Sequence, residues 1–266
     1  MQARFFAALI AAAALTGCGV KGGDDVAAHS AGAGPDGAYM PPPVLTASAP
    51  TPGGRLTLSG KAVADMRVRL ATPSGEAVFA PVDGNGLWRL DLAASPAPRI
   101  FGLSMVDAGG HRTVQAEGYL AVLPDGRAAQ LRSGSGAMVF AGKPGPAGIL
   151  AVDYDRQGGA VISGVSTPGA TVSIRVDGVQ RGQDAADADG RFDIALTQPL
   201  TRGDHQIDVS DGEHQVHTVA PVSPAPTLTT GPYRAERAAL GWRIDWMTPG
   251  GGVQSTIIVD RSGPVS

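Results

Sequence analysis

Apolar and polar residues alternate with a period of two along short runs separated by turn residues. Met66, Val68 and Leu70 alternate with Arg67 and Arg69, and Trp88, Leu90 and Leu92 alternate with Arg89 and Asp91. The runs TVSIRV, from Thr171 to Val176, and FDIAL, from Phe192 to Leu196, behave alike. A period of two sends successive side chains to opposite faces, so each run predicts a half-buried antiparallel strand. Turn signals lie between the runs: Pro73-Ser74-Gly75, Asp83-Gly84-Asn85-Gly86, Asp177-Gly178 and Asp187-Ala188-Asp189-Gly190. No convincing helical periodicity follows the N-terminal segment. Short strands with regular turns predict an all-β chain built as sandwiches.

The chain also repeats itself. Leu58–Leu92 aligns without a gap on Ile162–Leu196 at a constant offset of 104 residues. Ser59-Gly60 falls on Ser163-Gly164, Asp83 on Asp187, Gly86 on Gly190, and Trp88 on Phe192. Few residues are identical, but apolar and turn positions coincide. Two copies with so long a period predict tandem domains and not a solenoid. The second copy carries Pro168-Gly169-Ala170-Thr171-Val172, then Asp187-Ala188-Asp189-Gly190-Arg191-Phe192, then PLTRGDHQIDVSD. This series resembles the bacterial Ig-like domains of envelope and surface proteins, over roughly 45–122 and 149–222. The first copy departs from it, with Ala64-Asp65-Met66 in place of Pro-Gly-Ala. The resemblance implies two tandem Ig-like β-sandwiches, a fold that serves as spacer, adhesin or binding module. Domain 1 is expected over 44–123 and domain 2 over 149–222. A connecting segment, 124–148, has a hinge at Lys143-Pro144-Gly145-Pro146, and a C-terminal extension, 223–266, carries a β-hairpin across Pro249–Gly252.

The N-terminus reads differently. Arg4 precedes an uncharged apolar run, Phe5 to Ala14, and small residues then lead into Cys18, the chain's one cysteine. That is the layout of a secretory signal, and its apolar run is too short for the ~20 residues a membrane-spanning helix needs. Leu15-Thr16-Gly17-Cys18 resembles the lipobox of bacterial lipoproteins. The resemblance implies a signal peptide over 1–17, a diacylglycerol on the Cys18 sulfur and an N-acyl chain on its new amino group. Gly19, in place of Asp, implies sorting to the outer membrane. At ~0.8 kcal/mol per buried CH₂, three acyl chains anchor stably. Residues 18–43, rich in Gly, Ala and Pro, form the lipidated N-terminus and a disordered tether with an r.m.s. reach of about 28 Å. With Cys18 lipidated, no thiol remains for a disulfide, a zinc site or a nucleophile.

The chain has 266 residues and a net charge of −3, which argues against a nucleic-acid partner. Asp184, Asp187 and Asp189 form a calcium candidate, but the downstream bidentate Glu is missing and Asp with Gly is what a tight turn requires. His214 and His217 suggest a metal pair, yet on a strand their odd spacing sends them to opposite faces. His205 and His111 are expected at sheet edges or loops. No nucleophile elbow, paired-carboxylate cleft or His-Glu-x-x-His run is present, so no catalytic residues, no metal and no cofactor are expected beyond the lipid on Cys18. Trp242, Ile244 and Trp246 share one face of the C-terminal hairpin, opposite Val253, Ile257 and Val259. They form either a buried cover for the second sandwich or an exposed binding face of aromatic rings. Burial is favoured, because two tryptophans in water invite aggregation. These features together predict a non-enzymatic outer-membrane lipoprotein that binds a protein partner in the envelope. The alternative is a carbohydrate-binding module for envelope polysaccharide or peptidoglycan.

Overall fold

The computed structural model describes residues 39–51, 55–140 and 147–260. Over these residues the chain is all-β and contains no helix. The signal peptide, Cys18, most of the tether and the Lys143–Pro146 hinge lie outside the described residues. The end of the tether belongs to the fold: Met40 packs on the first core and Pro43 is buried.

The first sandwich apposes two sheets. One pairs β1 (Val44–Thr51), β2 (Arg55–Lys61) and β5 (Leu87–Leu92) in the order β1-β2-β5. The other centres on β3 (Arg67–Ala71), flanked by β4 (Ala77–Pro81) and β6 (Arg99–Val106). β6 pairs through its second half with β7 (Thr113–Gln115) and through its first half with β8 (Tyr119–Val122). The alternating apolar residues meet between the sheets. Leu58, Val68, Leu70 and Met105 are wholly buried, with Trp88 beside them.

The second sandwich repeats this plan. Here β11 (Gly148–Asp155), β12 (Ala160–Val165) and β15 (Arg191–Ala195) face β14 (Val179–Ala185), β13 (Thr171–Val176), β16 (Gly203–Ser210) and β17 (Gln215–Val222). The offset of 104 extends to irregular features. A register shift between Leu45 and Ala47 recurs between Ile149 and Ala151. Asp65 holds φ at +63°, where its counterpart Gly169 stands at +74°. Asp is one of the few residues that tolerates this left-handed region, so the first copy keeps the turn without its glycine.

The shared glycine of β2 and β12 has a steric cause. A Cβ on Gly60 would stand 2.0 Å from the Val44 carbonyl oxygen and 2.7 Å from the Trp88 ring. On Gly164 it would stand 2.3 Å from the Gly148 oxygen and 2.4 Å from Phe192. In each copy an aromatic ring occupies the space beside this glycine. We expect Gly60→Ala and Gly164→Ala each to destabilise the protein by about 1–3 kcal/mol in urea titrations, through overpacking.

The described residues 124–140 between the copies are part of the fold. They contain β9 (Ala128–Leu131) and β10 (Met138–Phe140), which extend the larger sheet of the first sandwich to the order β10-β9-β8-β6-β3-β4. The C-terminal extension forms three strands: β18 (Tyr233–Ala238), β19 (Gly241–Met247) and β20 (Val253–Val259). β20 pairs with β11, so the extension continues the second sandwich as β15-β12-β11-β20-β19-β18. The two extensions pack face to face and enclose a third core. Its buried members include Ile100, Ala121, Leu131, Val139, Ile244, Trp246 and Ile258. The shared strands are therefore buried on both sides. Leu120 and Val122 of β8 face the first core, and Ala121 faces the third. In β20, Ile257 enters the second core and Ile258 the third.

The hairpin register also differs from the expected one. Trp242 pairs with Ile258, Ile244 with Thr256 and Trp246 with Gln254. Val253, Ile257 and Val259 lie across from Met247, Arg243 and Gly241. A shift of one residue exchanges the two faces of a strand, and the turn at 248–252 sets that shift.

Candidate functional site

Strands β11, β19 and β20, which separate the second and third cores, carry a cluster of buried polar side chains. β19 reads GWRIDWM and β20 reads VQSTIIV. Arg243, Asp245, Gln254, Ser255 and Thr256 interrupt these apolar strands and are all buried, as is Asp153 of β11. Buried polar groups need partners, and these find one another, except that Asp245 Oδ2 accepts no hydrogen bond among the described residues.

Asp153 is the hub of the first network. Its Oδ1 accepts from Thr256 Oγ1 at 2.5 Å and from Gln254 Nε2 at 3.2 Å, and its Oδ2 accepts the Ala137 N–H at 2.8 Å. Trp246 Nε1 donates to Thr256 Oγ1 at 3.1 Å. Gln254 Oε1 accepts the Gly134 N–H at 3.2 Å. Arg132 reaches Asp193 of β15 at 2.6 Å and donates through Nε to the Gly136 carbonyl at 3.0 Å. The loop between β9 and β10 is thus tied from three directions to the second sandwich. On the opposite face of β19, Arg243 joins Asp245 at 2.9 Å, reaches Ser223 and Ser255, and lies over the Tyr154 ring.

Burial pushes the Asp153 carboxyl up to about 6, against the hydrogen bonds from Thr256, Ala137 and Gln254. A pKa raised in the folded state means that, between about pH 4 and 6, the native chain holds a proton the unfolded chain has lost. This contribution to stability is complete below about pH 4 and falls as pH rises through 6, by roughly 2–3 kcal/mol. Asp153→Asn cannot ionise. We expect the difference in unfolding free energy between the two proteins to change by that order from pH 4 to pH 8. A constant difference would remove Asp153 from the pH response.

Beside Asp153 opens a cleft of about 540 Å³, lined by Ser133, Asp155, Arg156, Gln157, Thr248 and Gln254. Tyr154, its aromatic neighbour, is buried and offers no platform for a ring. Asp155 Oδ1 accepts the Gln157 and Gly159 N–H groups and so shapes the β11–β12 turn.

The residues singled out from sequence fall as follows. Leu15, Thr16, Gly17 and Cys18 lie outside the described residues. Trp242, Ile244 and Trp246 are not an exposed binding face: Ile244 and Trp246 are wholly buried, and Trp242 is half-buried beneath Arg237. Trp246 meets Tyr119 edge to face, with centroids 5.8 Å apart. Asp187 Oδ1 accepts the N–H groups of Asp189 and Arg191, and Asp184 accepts the Ala185 N–H, as turn and strand-end residues do. Asp83 makes the same pair of bonds to Asn85 and Leu87. Among the described residues no three His, Cys, Asp or Glu side chains are placed to hold a metal ion. His214 lies in the turn before β17, with its N–H on Asp211, while His217 is exposed within β17, so the parity of a strand does not govern the pair. His205 is neither at an edge nor in a loop. It is buried in β16, with Nδ1 at 2.7 Å from Asp177 and Nε2 at 2.8 Å from the Thr201 carbonyl. The His205 bond holds the Asp177 carboxyl below its usual range.

No protein-family model matches the chain, and no curated protein matches it. Among solved structures, the chain is similar to "Biofilm associated protein - BSP domain" at 14% identity and a TM-score of 0.23, over 68% of this chain and 30% of that one. It thus spans under a third of that protein's length. It is also similar to "Central Fibronectin-III array of RIM-binding protein" at 11% identity and a TM-score of 0.25, over 82% of this chain and 89% of that one. Likenesses this distant carry no inference about activity.

Proposed function

We propose that this protein is a non-enzymatic component of the bacterial cell envelope, anchored in the outer membrane through lipid on Cys18, that presents a stiff β-body to a protein partner. The observation that carries this reading is the third core. Two Ig-like copies that could have hung as beads on a linker are instead joined by strands from the linker and from the C-terminus. Buried Asp153, Gln254 and Thr256 serve that junction, with Asp153 bound to β20 and to the loop between β9 and β10. A structural, adhesion or assembly role needs such stiffness, because a fixed docking geometry reduces the ordering cost of association. The glycan-binding alternative draws no support from Ile244 and Trp246, which are packed inside, or from Trp242, which is half-buried beneath Arg237.

Membrane fractionation and affinity capture with the full-length chain test the reading. We expect the wild-type chain in the outer-membrane fraction, Cys18→Ser in the soluble fraction, and one envelope protein captured at fixed stoichiometry. Unchanged membrane association of Cys18→Ser would overturn the anchor. Capture of polysaccharide or peptidoglycan without protein would replace the partner reading with the glycan one.

A further inference from the structure

We infer that β4 is an open docking edge that receives an extended acidic strand of a partner protein. This rests on the proposed partner-binding role and specifies where and what it binds.

The register between β3 and β4 sets which backbone groups are free. Thr72 N–H bonds the Glu76 carbonyl and Val82 N–H bonds the Met66 carbonyl, both in register with the pairing of β3 and β4. Hydrogen-bonded pairs alternate along an antiparallel ladder, so Val78 and Ala80 turn their N–H and C=O groups toward β3. Ala77 and Phe79 turn theirs outward, and neither finds a backbone partner among the described residues.

Three other edges are capped or guarded. In the second copy, Arg181 stands where Ala77 stands in the first, and its carbonyl is taken by the N–H and Oγ1 of Thr197 at 2.7 and 3.1 Å. The outward carbonyl of Val139 in β10 is taken by Arg191 at 3.0 Å. β18 carries Arg234, Glu236 and Arg237, and charge guards an edge against pairing. β4 reads AVFAP and has no charge. It exposes Phe79 by 50% and Val78 by 42%, on opposite faces.

The chemistry of the guest follows from the two faces. On the outer face, Phe79 pairs across to Arg69, and the Arg67 guanidinium lies over the Phe79 ring at 5.5 Å from its centroid. Arg67 thus carries its charge from β3 toward the open edge. Neither arginine forms an ion pair among the described residues. A strand added beside β4 would place alternate side chains within reach of these guanidiniums, where carboxylates are favoured. Its other side chains would lie beside Val78 and extend the first core, where β-branched residues fit. The guest is therefore an extended segment alternating Glu or Asp with Val or Ile.

The probe is a fluorescein-labelled heptapeptide, Gly-Glu-Val-Glu-Val-Glu-Gly, titrated against the full chain by fluorescence anisotropy. We expect saturable binding that weakens several-fold in high salt, with the amides of Ala77 and Phe79 becoming protected from hydrogen exchange. Phe79→Pro removes an outward N–H without touching the ladder to β3, and Phe79→Ala removes the ring alone. Binding should fall at least tenfold for the proline variant and less for the alanine one. Arg67→Glu should lose the acidic peptide and gain its lysine counterpart, which keeps the test decisive if the proline variant fails to fold. Equal binding by a folded Phe79→Pro chain, or by the lysine peptide to wild type, would overturn the inference. Both readouts are independent of Cys18 and of envelope capture, so their failure would leave the anchored, partner-binding reading standing.

Discussion

Trp246→Ala will destabilise the folded chain by about 3–5 kcal/mol, the range for truncating a buried tryptophan. The side chain is wholly buried in the third core, stacks edge-on against Tyr119 of the first half, and donates its indole N–H to Thr256 of the second. Truncation therefore opens a cavity between the two halves and leaves Thr256 without a donor. Its effect falls on the joint and not on either sandwich, whose own cores are complete without it. Urea unfolding followed by far-UV circular dichroism measures the loss. Trp242→Ala, at a half-buried position, should cost about a third as much. A change below about 1 kcal/mol at position 246 would mean that the ring is exposed, and would return the aromatic face to the list of binding surfaces.

The sandwiches were legible because strands such as β3, β5, β13 and β15 are buried on one face. Arg67-Val68-Arg69-Leu70 and Arg191-Phe192-Asp193-Ile194 alternate, and the offset of 104 carries a turn in one copy onto the same turn in the other. The third core was illegible for the complementary reason. β8, β9 and β10 are buried on both faces, so Ala128-Ala129-Gln130-Leu131 shows no alternation, and its small residues have weak strand preference. β18 reads YRAERA and lies at an edge where polar residues are tolerated, so nothing in it marks a strand. The hairpin was recognised but its facing residues were not, because a pattern of two apolar strands does not specify the turn register that pairs them.

The buried network left a signal that could have been used. Asp153 in LAVDYD, Asp245 in GWRIDWM and Gln254-Ser255-Thr256 in VQSTIIV are polar residues inside strongly apolar strands. A carboxylate in such a place needs partners, and two of these strands pair directly with each other. The open edge at β4 had no comparable signal. Its importance comes from the backbone register and from the cover that the second copy has and the first lacks.

Replacing Arg243 by Met should destabilise the protein by about 3–5 kcal/mol, as loss of one member of a buried ion pair does. Arg243 and Asp245 are both buried, 2.9 Å apart, and Ser255 Oγ donates to the same Asp245 oxygen at 2.6 Å. The guanidinium also donates to Ser223, through both its carbonyl and its hydroxyl, and so fixes the chain leaving β17. Met keeps the packing against Tyr154 but leaves the Asp245 carboxylate without a counterion and the Ser223 carbonyl without a donor. Most of the cost lies in those orphaned groups and not in the attraction lost. The double variant Arg243→Met/Asp245→Leu should therefore recover a large share of the stability, with a coupling of about 1–3 kcal/mol in a double-mutant cycle. Arg243→Lys should fall between wild type and Met, because an ammonium keeps the charge but cannot span Asp245, Ser223 and Ser255 at once. Additive effects of the two single changes would show that each residue is held by its other neighbours. A double variant as stable as wild type would show that the pair adds little to the depth of the native state.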